Sequence, residues 1–162
     1  MNTQACIFLD RDGVINHERG EHTFRLEDFI INKGLFEALI SLKEKKFIFI
    51  IITNQSGIGL GKYTIEQMNL CHNYLQLEAE KNNIHFEEIY FCPHHPSVSN
   101  CLCRKPDSLL LEKAINKYNI DINKSWFIGD KQRDIEAANK VGVKSILIQS
   151  NQNINEILHQ IV

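Results

Sequence analysis

The sequence predicts an α/β fold, a Rossmann-like three-layer sandwich with a central parallel sheet. Short apolar runs alternate with segments of helical periodicity, and this alternation is typical of strands joined by crossover helices. The run from Phe47 to Ile52 is apolar at every position, as expected for a strand buried on both faces of a parallel sheet. No repeat, linker or low-complexity segment interrupts the alternation, so we expect residues 1–162 to form one domain.

Apolar spacing predicts the elements of the first half of the chain. Residues 5–9 form an apolar run that stops at Asp10, which indicates a buried strand. Residues 34–46 carry leucines at helical spacing and lysines near the end, which favours an amphipathic helix. A second helix is expected over residues 64–81, with Thr64 as its N-cap. The stripe predicted to face the core comprises Ile65, Met68, Leu75 and Ala79.

The second half continues the alternation. Strands are predicted at residues 89–91, 126–128 and 143–148. Helices are predicted at residues 107–118, 131–141 and 155–161. Gly142 is suited to end the second of these helices as its C-cap. Residues 11–32 have no regular period, so we expect a loop or small flap over the edge of the sheet.

Composition excludes several classes of protein. The 43% hydrophobic and 23% charged residues are near the averages for globular proteins, which argues against extended disorder and against a disulfide-rich miniprotein. The formal net charge of -2 argues against a basic nucleic-acid binder. The longest apolar run is far shorter than a membrane span, and residues 1–5 lack the features of a signal peptide. We therefore expect a cytoplasmic monomer without nucleic-acid or membrane partners.

Polar residues follow several of the predicted strands. Asp10 and Asp12 follow the first, Thr53 the second, and Asp130 the strand at residues 126–128. The carboxyl ends of parallel strands meet at one edge of a sheet, where ligands bind. Such carboxylates can hold Mg²⁺, attack phosphorus and transfer a proton, while Lys105 could neutralise phosphoryl charge. Asp-x-Asp-Gly alone is more typical of a simple turn after a strand, so the phosphoryl interpretation depends on the whole set.

A second cluster combines thiols and imidazoles. Cys92, Cys101 and Cys103 lie in one short segment that also contains His94 and His95. Three thiolates and one imidazole can form a tetrahedral zinc site, although free thiols remain the alternative. The other cysteines lie in apolar patterns and are expected to be buried thiols: Cys6 and Cys71.

A glycine-rich segment, residues 57–62, superficially looks like a nucleotide-binding loop. The P-loop pattern requires glycine where Ser56 stands and serine or threonine where Tyr63 stands, and the dinucleotide pattern requires glycine where Lys62 stands. We therefore interpret the segment as a flexible turn before the second helix.

Four ordered motifs resemble those of the haloacid dehalogenase superfamily of phosphatases. They are residues 8–16, residues 53–57, Lys105 with Pro106, and residues 129–131 with Asp134. Within that superfamily the chain is most similar to the bacterial D-glycero-D-manno-heptose-1,7-bisphosphate 7-phosphatases and the related histidinol-phosphate phosphatases. No large insertion separates the motifs, so we expect no separate cap domain.

The resemblance implies specific roles for the reacting groups. Asp10 is the implied nucleophile, and Asp12 the general acid that later acts as base. Thr53 and Lys105 are implied to hold the phosphoryl group, so the catalytic set is Asp10, Asp12, Thr53 and Lys105. Asp10, the backbone carbonyl of Asp12 and Asp130 are the implied Mg²⁺ ligands.

The resemblance also implies the substrate contacts and the zinc ligands. The implied substrate-binding residues are Asn54, Gln55, Ser56, Arg104 and Lys131. The implied zinc ligands are Cys92, His94, Cys101 and Cys103, with His95 left over. A closed four-coordinate zinc is structural, and here it would fix the loop that carries Arg104 and Lys105. Asp134 could support the metal or Lys105, or it could be a surface acid near a helix N-terminus.

These roles together imply a Mg²⁺-dependent phosphatase that hydrolyses a sugar phosphate through an aspartyl-phosphate, with D-glycero-D-manno-heptose 1,7-bisphosphate as the expected substrate. Histidinol phosphate is an alternative substrate that would use the same catalytic residues. A zinc-stabilised binding protein without catalysis is the alternative from another class. A nucleic-acid 3′-phosphatase is disfavoured because the chain has no basic excess.

Overall fold

The computed structural model describes residues 3–162 and is built around a five-stranded sheet. The strands are β1 (Cys6–Leu9), β2 (Ile48–Asn54), β3 (Phe86–Cys92), β4 (Trp126–Gly129) and β5 (Lys144–Leu147). The helices are α1 (Leu35–Glu44), α2 (Ile65–Lys81), α3 (Leu109–Tyr118) and α4 (Gln132–Lys140). All strand pairs are parallel and the strand order is β3-β2-β1-β4-β5, so the predicted α/β class with a parallel sheet is confirmed.

The helices cover both faces of the sheet. Buried side chains of α1 and α2 belong to one hydrophobic cluster, and those of α3 and α4 belong to a second cluster on the other face. Adjacent residues of β1 alternate between the two clusters, since Ile7 packs in the first and Phe8 in the second. This arrangement is the predicted three-layer sandwich.

The register of the central strands places the ends of β1, β2 and β4 together. Leu9 at the end of β1 pairs with Ile51 on one side and with Ile128 on the other. The chain order changes direction at β1, because β2 and β4 flank it. Crevices at such points are the usual ligand sites of α/β sheets.

Helix α2 begins as predicted. The Thr64 hydroxyl accepts a hydrogen bond from the Gln67 backbone N–H, and the Gln67 side chain accepts one from the Thr64 N–H. This reciprocal pair satisfies two donors that a helix start leaves free. One detail of the predicted stripe is wrong. Ile65 is 40% exposed, while Cys71 takes a buried position between Met68 and Leu75.

Several other elements differ from the predictions in extent or type. Strand β3 begins at Phe86, because the pairing with β2 extends past a register shift into the segment with Glu87 and Glu88. Helix α3 begins two residues later than predicted, at Leu109. The last helix is a 3₁₀ helix over Ile154–Gln160, and residues 122–124 form a short 3₁₀ turn before β4.

Several residues of the aperiodic segment at residues 11–32 line the crevice at the carboxyl ends of the strands, and the segment is called the flap below. It contains a 3₁₀ turn at Leu26–Asp28 and an isolated antiparallel bridge between Asn16 and Ile31. Phe29 anchors it in the core, at 3% exposure. No helix within residues 3–162 is both long enough and apolar enough to cross a membrane.

Candidate active site

A cavity of about 790 Å³ opens at the carboxyl ends of the central strands. Seven of the predicted site residues line it: Asp10, Asp12, Asn54, Gln55, Ser56, Arg104 and Lys131. Three others, Thr53, Lys105 and Asp130, are buried and connect to that set through the contacts described below. The convergence follows from the topology, since parallel strands bring their carboxyl ends to one edge.

Lys105 is a buried cation between two carboxylates. Its Nζ lies 2.9 Å from Asp10 Oδ1 and 2.8 Å from Asp134 Oδ1, and it donates a 2.6 Å hydrogen bond to the carbonyl of Ile52. Burial would lower the pKa of Lys105, but the two carboxylates raise it, so the side chain stays charged. Burial raises the pKa of Asp10 to about 7, despite the attraction of Lys105.

Three buried carboxylates form a possible cation site. Oxygen atoms of Asp10, Asp130 and Asp134 lie within 4.8 Å of one another. Asp130 Oδ2 accepts from the Ser150 hydroxyl at 2.5 Å and lies 3.1 Å from Lys131 Nζ, whereas the buried Oδ1 makes no hydrogen bond within residues 3–162. A hard divalent ion such as Mg²⁺ prefers such oxygen ligands, and it would satisfy the unpaired atom.

Gly13 permits this close arrangement. Its φ is +88°, and a Cβ there would lie 2.2 Å from Asp130 Oδ2. Any larger residue would therefore collide with the carboxylate and strain the backbone. The first motif thus contributes two acids and also the space that Asp130 occupies.

Donors on three sides hold the carboxylate of Asp12. Arg11 Nη2 and Asn16 Nδ2 donate to Oδ1, each at 2.9 Å, and Gln55 Nε2 donates to Oδ2 at 3.1 Å. Burial alone would raise the pKa of Asp12, but the Arg11 charge and these hydrogen bonds hold it below its usual value. The ground state therefore favours the carboxylate form, aimed into the cavity.

Arg11 connects Asp12 to the flap and to α2. The side chain is fully buried, donates to the carbonyl of Thr23 at 2.6 Å, and lies 3.3 Å from His72 Nε2. Burial and then the Arg11 charge lower the pKa of His72 to about 3, so His72 is neutral. No pattern in the sequence predicts this role, because arginine side chains are usually exposed to solvent.

Gln55 connects β2 to Asp12 through a short hydrogen-bond chain. Its Nε2 also donates to Thr53 Oγ1 at 2.9 Å, and its Oε1 accepts from the Tyr63 hydroxyl at 2.6 Å. Tyr63 stacks on Phe24 of the flap, with ring centroids 4.9 Å apart. Gln55, predicted to bind substrate, therefore also orients Asp12.

Asn54 fixes the loop that carries Lys105. Asn54 Nδ2 donates to the backbone carbonyl of Lys105 at 3.1 Å, and its Oδ1 accepts from the Lys105 N–H at 3.0 Å. These paired bonds attach residue 105 to the end of β2. Asn54 also lines the cavity, where the resemblance predicts a substrate contact.

The predicted zinc ligands form a compact cluster. Cys92, His94, Cys101 and Cys103 each offer a donor atom, and these atoms lie within 4.8 Å of one another. Cys103 Sγ lies 2.9 Å from Cys92 Sγ and 3.2 Å from His94 Nδ1. Three sulfurs and one nitrogen at such spacing suit tetrahedral zinc. His95 lies outside the cluster, with its Nδ1 2.6 Å from Ser97 Oγ.

The glycine-rich turn packs against the loop of the cysteine cluster. Gly59 N–H donates to the carbonyl of Pro93 at 2.8 Å, and a Cβ on Gly59 would lie 2.7 Å from that oxygen. The Gln55 N–H donates to the carbonyl of Cys92 at 2.7 Å. The segment predicted to be a flexible turn is thus attached by its backbone to the cysteine cluster.

Further basic groups line the cavity beyond the predicted set. They are His22, Lys62 and Arg133. Arg133 lies in the first turn of α4, and Lys62 ends the glycine-rich turn. His22 lies in the flap beside Tyr63, with ring centroids 5.7 Å apart. The sequence marks His22 only as a flap histidine that could contact substrate or be an exposed loop residue. No periodicity or motif marks Lys62 or Arg133, because their relevance depends on how the glycine-rich turn and α4 face the cavity.

Sequence comparisons find relatives of this chain among known proteins. A family model described as HAD-hydrolase-like matches residues 102–160. A D-glycero-beta-D-manno-heptose-1,7-bisphosphate 7-phosphatase of Helicobacter pylori is 40% identical over 149 residues, covering 91% of this chain and 85% of the relative. The enzyme of that name from Vibrio cholerae is 36% identical over 160 residues, covering 94% of this chain and 86% of the relative.

Solved structures show the same fold. The D,D-heptose 1.7-bisphosphate phosphatase from B. bronchiseptica, complexed with magnesium and phosphate, is 28% identical and has a TM-score of 0.85, covering 97% of this chain and 87% of that one. A putative HAD-like phosphatase from Mesorhizobium loti is 20% identical with a TM-score of 0.86, covering 99% and 87%, and supports the fold alone.

Proposed function

The chain belongs to the haloacid dehalogenase-like family of phosphatases, and on this premise we propose that it is a Mg²⁺-dependent phosphatase that removes the 7-phosphate of D-glycero-D-manno-heptose 1,7-bisphosphate. The family is shown by relatives at 33–40% identity that match over most of their length. The substrate comes from the names of those relatives. The observation that carries the chemistry is the placement of Asp10 and Asp12 on one cavity, with Lys105 beside Asp10.

In the first step, a carboxylate oxygen of Asp10 attacks the phosphorus of the 7-phosphate. The bond between phosphorus and the sugar oxygen breaks, and the leaving oxygen takes a proton from Asp12. Lys105 and Thr53 stabilise the charge on the transferred phosphoryl group. Asp12 favours its carboxylate form before substrate binds. The approach of an anionic phosphate raises the pKa of a neighbouring carboxyl, so Asp12 takes up a proton from solvent as the substrate binds and then donates that proton to the leaving oxygen.

In the second step, Asp12 accepts a proton from a water molecule that attacks the aspartyl-phosphate. The bond between Asp10 and phosphorus breaks, releasing inorganic phosphate and regenerating the Asp10 carboxylate. The low pKa of Asp12, which Arg11 and Asn16 maintain, leaves the carboxylate ready to act as base once the sugar departs. Gln55 keeps the same carboxylate directed at the reaction centre.

Asp10, Asp130 and the backbone carbonyl of Asp12 would hold Mg²⁺, whose charge stabilises the phosphoryl oxygens when it is bound. The unpaired Oδ1 of Asp130 supports this assignment. Asp134 lies in the same cluster, but its ion pair with Lys105 favours a role in holding that lysine. The cysteine cluster would hold a structural zinc that fixes the loop leading to Arg104 and Lys105.

A phosphate-release screen tests the proposal. Purified protein with Mg²⁺ is assayed on heptose 1,7-bisphosphate, histidinol phosphate and a nucleic-acid 3′-phosphate. We expect the highest kcat/KM on the bisphosphate and loss of activity in Asp10→Asn, with the melting temperature retained. Faster turnover of histidinol phosphate would overturn the substrate, and absence of turnover on every phosphate ester would favour the non-catalytic alternative.

A further inference from the structure

Two arginines on the cavity wall have no carboxylate partner in the described part of the chain. Arg104 follows the cysteine cluster and Arg133 lies in the first turn of α4, and both line the cavity. Within residues 3–162 neither forms an ion pair. The remaining arginines each contact an acid, in the pairs Arg11–Asp12, Arg19–Asp28 and Arg25–Glu27.

The hydrogen-bonding capacity of both guanidinium groups is largely unused. Arg104 Nη1 donates only a long bond, 3.5 Å, to the carbonyl of His94. Arg133 Nε is buried and makes no hydrogen bond within the described chain. Burial lowers the pKa of Arg104, and the nearby charge of Arg133 lowers it further. The two cations are thus close to each other, and both face the cavity. Buried donors without partners are costly, and an anion that accepts from both groups would remove that cost.

The other cations around the cavity are already neutralised or exposed. Lys105 pairs with Asp10 and Asp134. Lys131 pairs with Asp130 and also donates to the Ser150 hydroxyl at 3.0 Å. Lys62 pairs with no acid among residues 3–162, but it is exposed on the glycine-rich turn. The carboxylates of the reaction centre therefore neutralise the two lysines, while the positive charges of Arg104 and Arg133 remain unbalanced.

The acids of the flap do not neutralise the pair. Glu18 Oε1 accepts from the Gly20 N–H at 2.8 Å, and Glu21 is directed at Arg19, 3.8 Å away. Both flap acids line the cavity but lie outside ion-pair distance of Arg104 and Arg133. Carboxylates in this position suit the hydroxyl groups of a sugar, whereas the arginine wall suits an anion.

Arg104 is already among the substrate-binding residues that the family resemblance implies. We infer that Arg133 joins it in binding the second, non-reacting phosphate of a bisphosphorylated sugar, and that Arg133 thereby strengthens the preference for bisphosphate over monophosphate. The inference rests on the proposed function. Guanidinium groups present fixed forks of donors that match phosphate oxygens, and two of them can share one dianion. The same wall repels an ammonium or imidazolium group, so it disfavours an amine-bearing monophosphate such as histidinol phosphate.

The test compares kcat/KM for heptose 1,7-bisphosphate with that for the 7-phosphate of the same sugar. Arg133→Gln is expected to lower the ratio of the two values about tenfold to hundredfold, mainly through KM for the bisphosphate, as for loss of a charge-assisted hydrogen bond. Arg133→Lys retains the charge and should restore part of the ratio. Lys113→Gln, at an exposed lysine of α3 outside the cavity lining, removes the same net charge and should leave the ratio unchanged.

If the wild type is active and Arg133→Gln has the same ratio of kcat/KM values, the inference is overturned while the proposed function stands. An equal loss of kcat/KM on both sugar phosphates would also overturn it, because Arg133 would then act on the reacting phosphoryl group or on the fold. A lower melting temperature of the variant would identify an effect on the fold. A wild type that hydrolyses neither sugar would overturn the proposed function, and this inference with it.

Discussion

The Nζ atom of Lys105 lies 2.8 Å from a carboxylate oxygen of Asp134, and both side chains are almost completely buried. Asp134 also accepts a hydrogen bond from the Lys131 N–H at 3.1 Å, so it closes the start of α4 while it holds the lysine. Full burial excludes the interpretation of Asp134 as a surface acid. A Cβ on Gly129 would lie 2.3 Å from the Asp134 Cβ, so this glycine permits the approach of the helix.

Asp134→Asn should weaken both the fold and the reaction. The substitution leaves Lys105 with one carboxylate instead of two in a buried site, and breaking a buried ion pair costs about 3 kcal/mol. We expect a comparable loss in the free energy of unfolding, measured in urea, and a lower kcat because Lys105 is less well held. Glu136→Gln, at an exposed acid of the same helix, is the control. Equal stability of Asp134→Asn and wild type would contradict the assignment.

Tyr63→Phe should reduce kcat with little change in KM. The ring would still stack on Phe24, but Gln55 would lose the hydroxyl that fixes its Oε1 and would orient Asp12 less well. A loss of about 1 kcal/mol corresponds to roughly fivefold in rate. Steady-state kinetics measure the effect, with Tyr74→Phe at an exposed tyrosine of α2 as control. A kcat equal to that of the control would show that the hydrogen bonds from Tyr63 through Gln55 to Asp12 do not affect the reaction.

His72→Gln should make the protein less sensitive to acid. In the folded state the pKa of His72 is about 3, below its ordinary value of 6.5, so below pH 6.5 the unfolded chain binds a proton that the folded protein does not. Stability is therefore retained above pH 6.5 and lost as the pH falls. Between pH 7 and pH 5 the loss from this one group is about 2 kcal/mol.

The measurement for His72 is urea unfolding at several pH values. We expect wild type to lose about 2 kcal/mol more than His72→Gln on going from pH 7 to pH 5. His159→Gln, at an exposed histidine, serves as the control and should follow wild type. Parallel pH profiles for wild type and His72→Gln would mean that His72 takes up a proton in the folded protein.

Cys101→Ser should remove zinc and destabilise the loop that carries Arg104 and Lys105. Wild type is expected to contain about one zinc per chain, because four donor atoms complete a tetrahedral site. The variant should contain far less zinc, melt at a lower temperature and turn over more slowly. Cys71→Ala, at a buried thiol outside the cluster, should retain the metal. Full activity and stability in wild type stripped of zinc by a chelator would contradict the structural role.

The centre of the fold could be predicted because its signals are local. The continuous apolar run before Thr53 and the capping pattern at Thr64 each identify an element without reference to the rest of the chain. Ile65 was misassigned because helical spacing alone does not tell which residues of the first turn contact the sheet. Strand β3 was predicted too short, since Glu87 and Glu88 interrupt its apolar pattern.

The site could be predicted only where strand ends and motifs marked it. Asp10 and Asp130 follow strands, so topology alone brings them together. Arg11 lies within the first motif, but its complete burial could not be predicted, and neither could the unpaired Nε of Arg133, because both depend on how the flap and α4 pack. The roles assigned to the reacting residues remain predictions until they are measured.

The most direct test of the proposed mechanism is the mass of the Asp10 peptide from enzyme quenched in acid during turnover of heptose 1,7-bisphosphate. Attack by Asp10 predicts that a fraction of this peptide carries one added phosphoryl group, located on Asp10 by fragmentation and absent from Asp10→Asn. An unmodified Asp10 peptide at every quench time, or an Asp10→Asn variant that retains wild-type turnover, would contradict the mechanism.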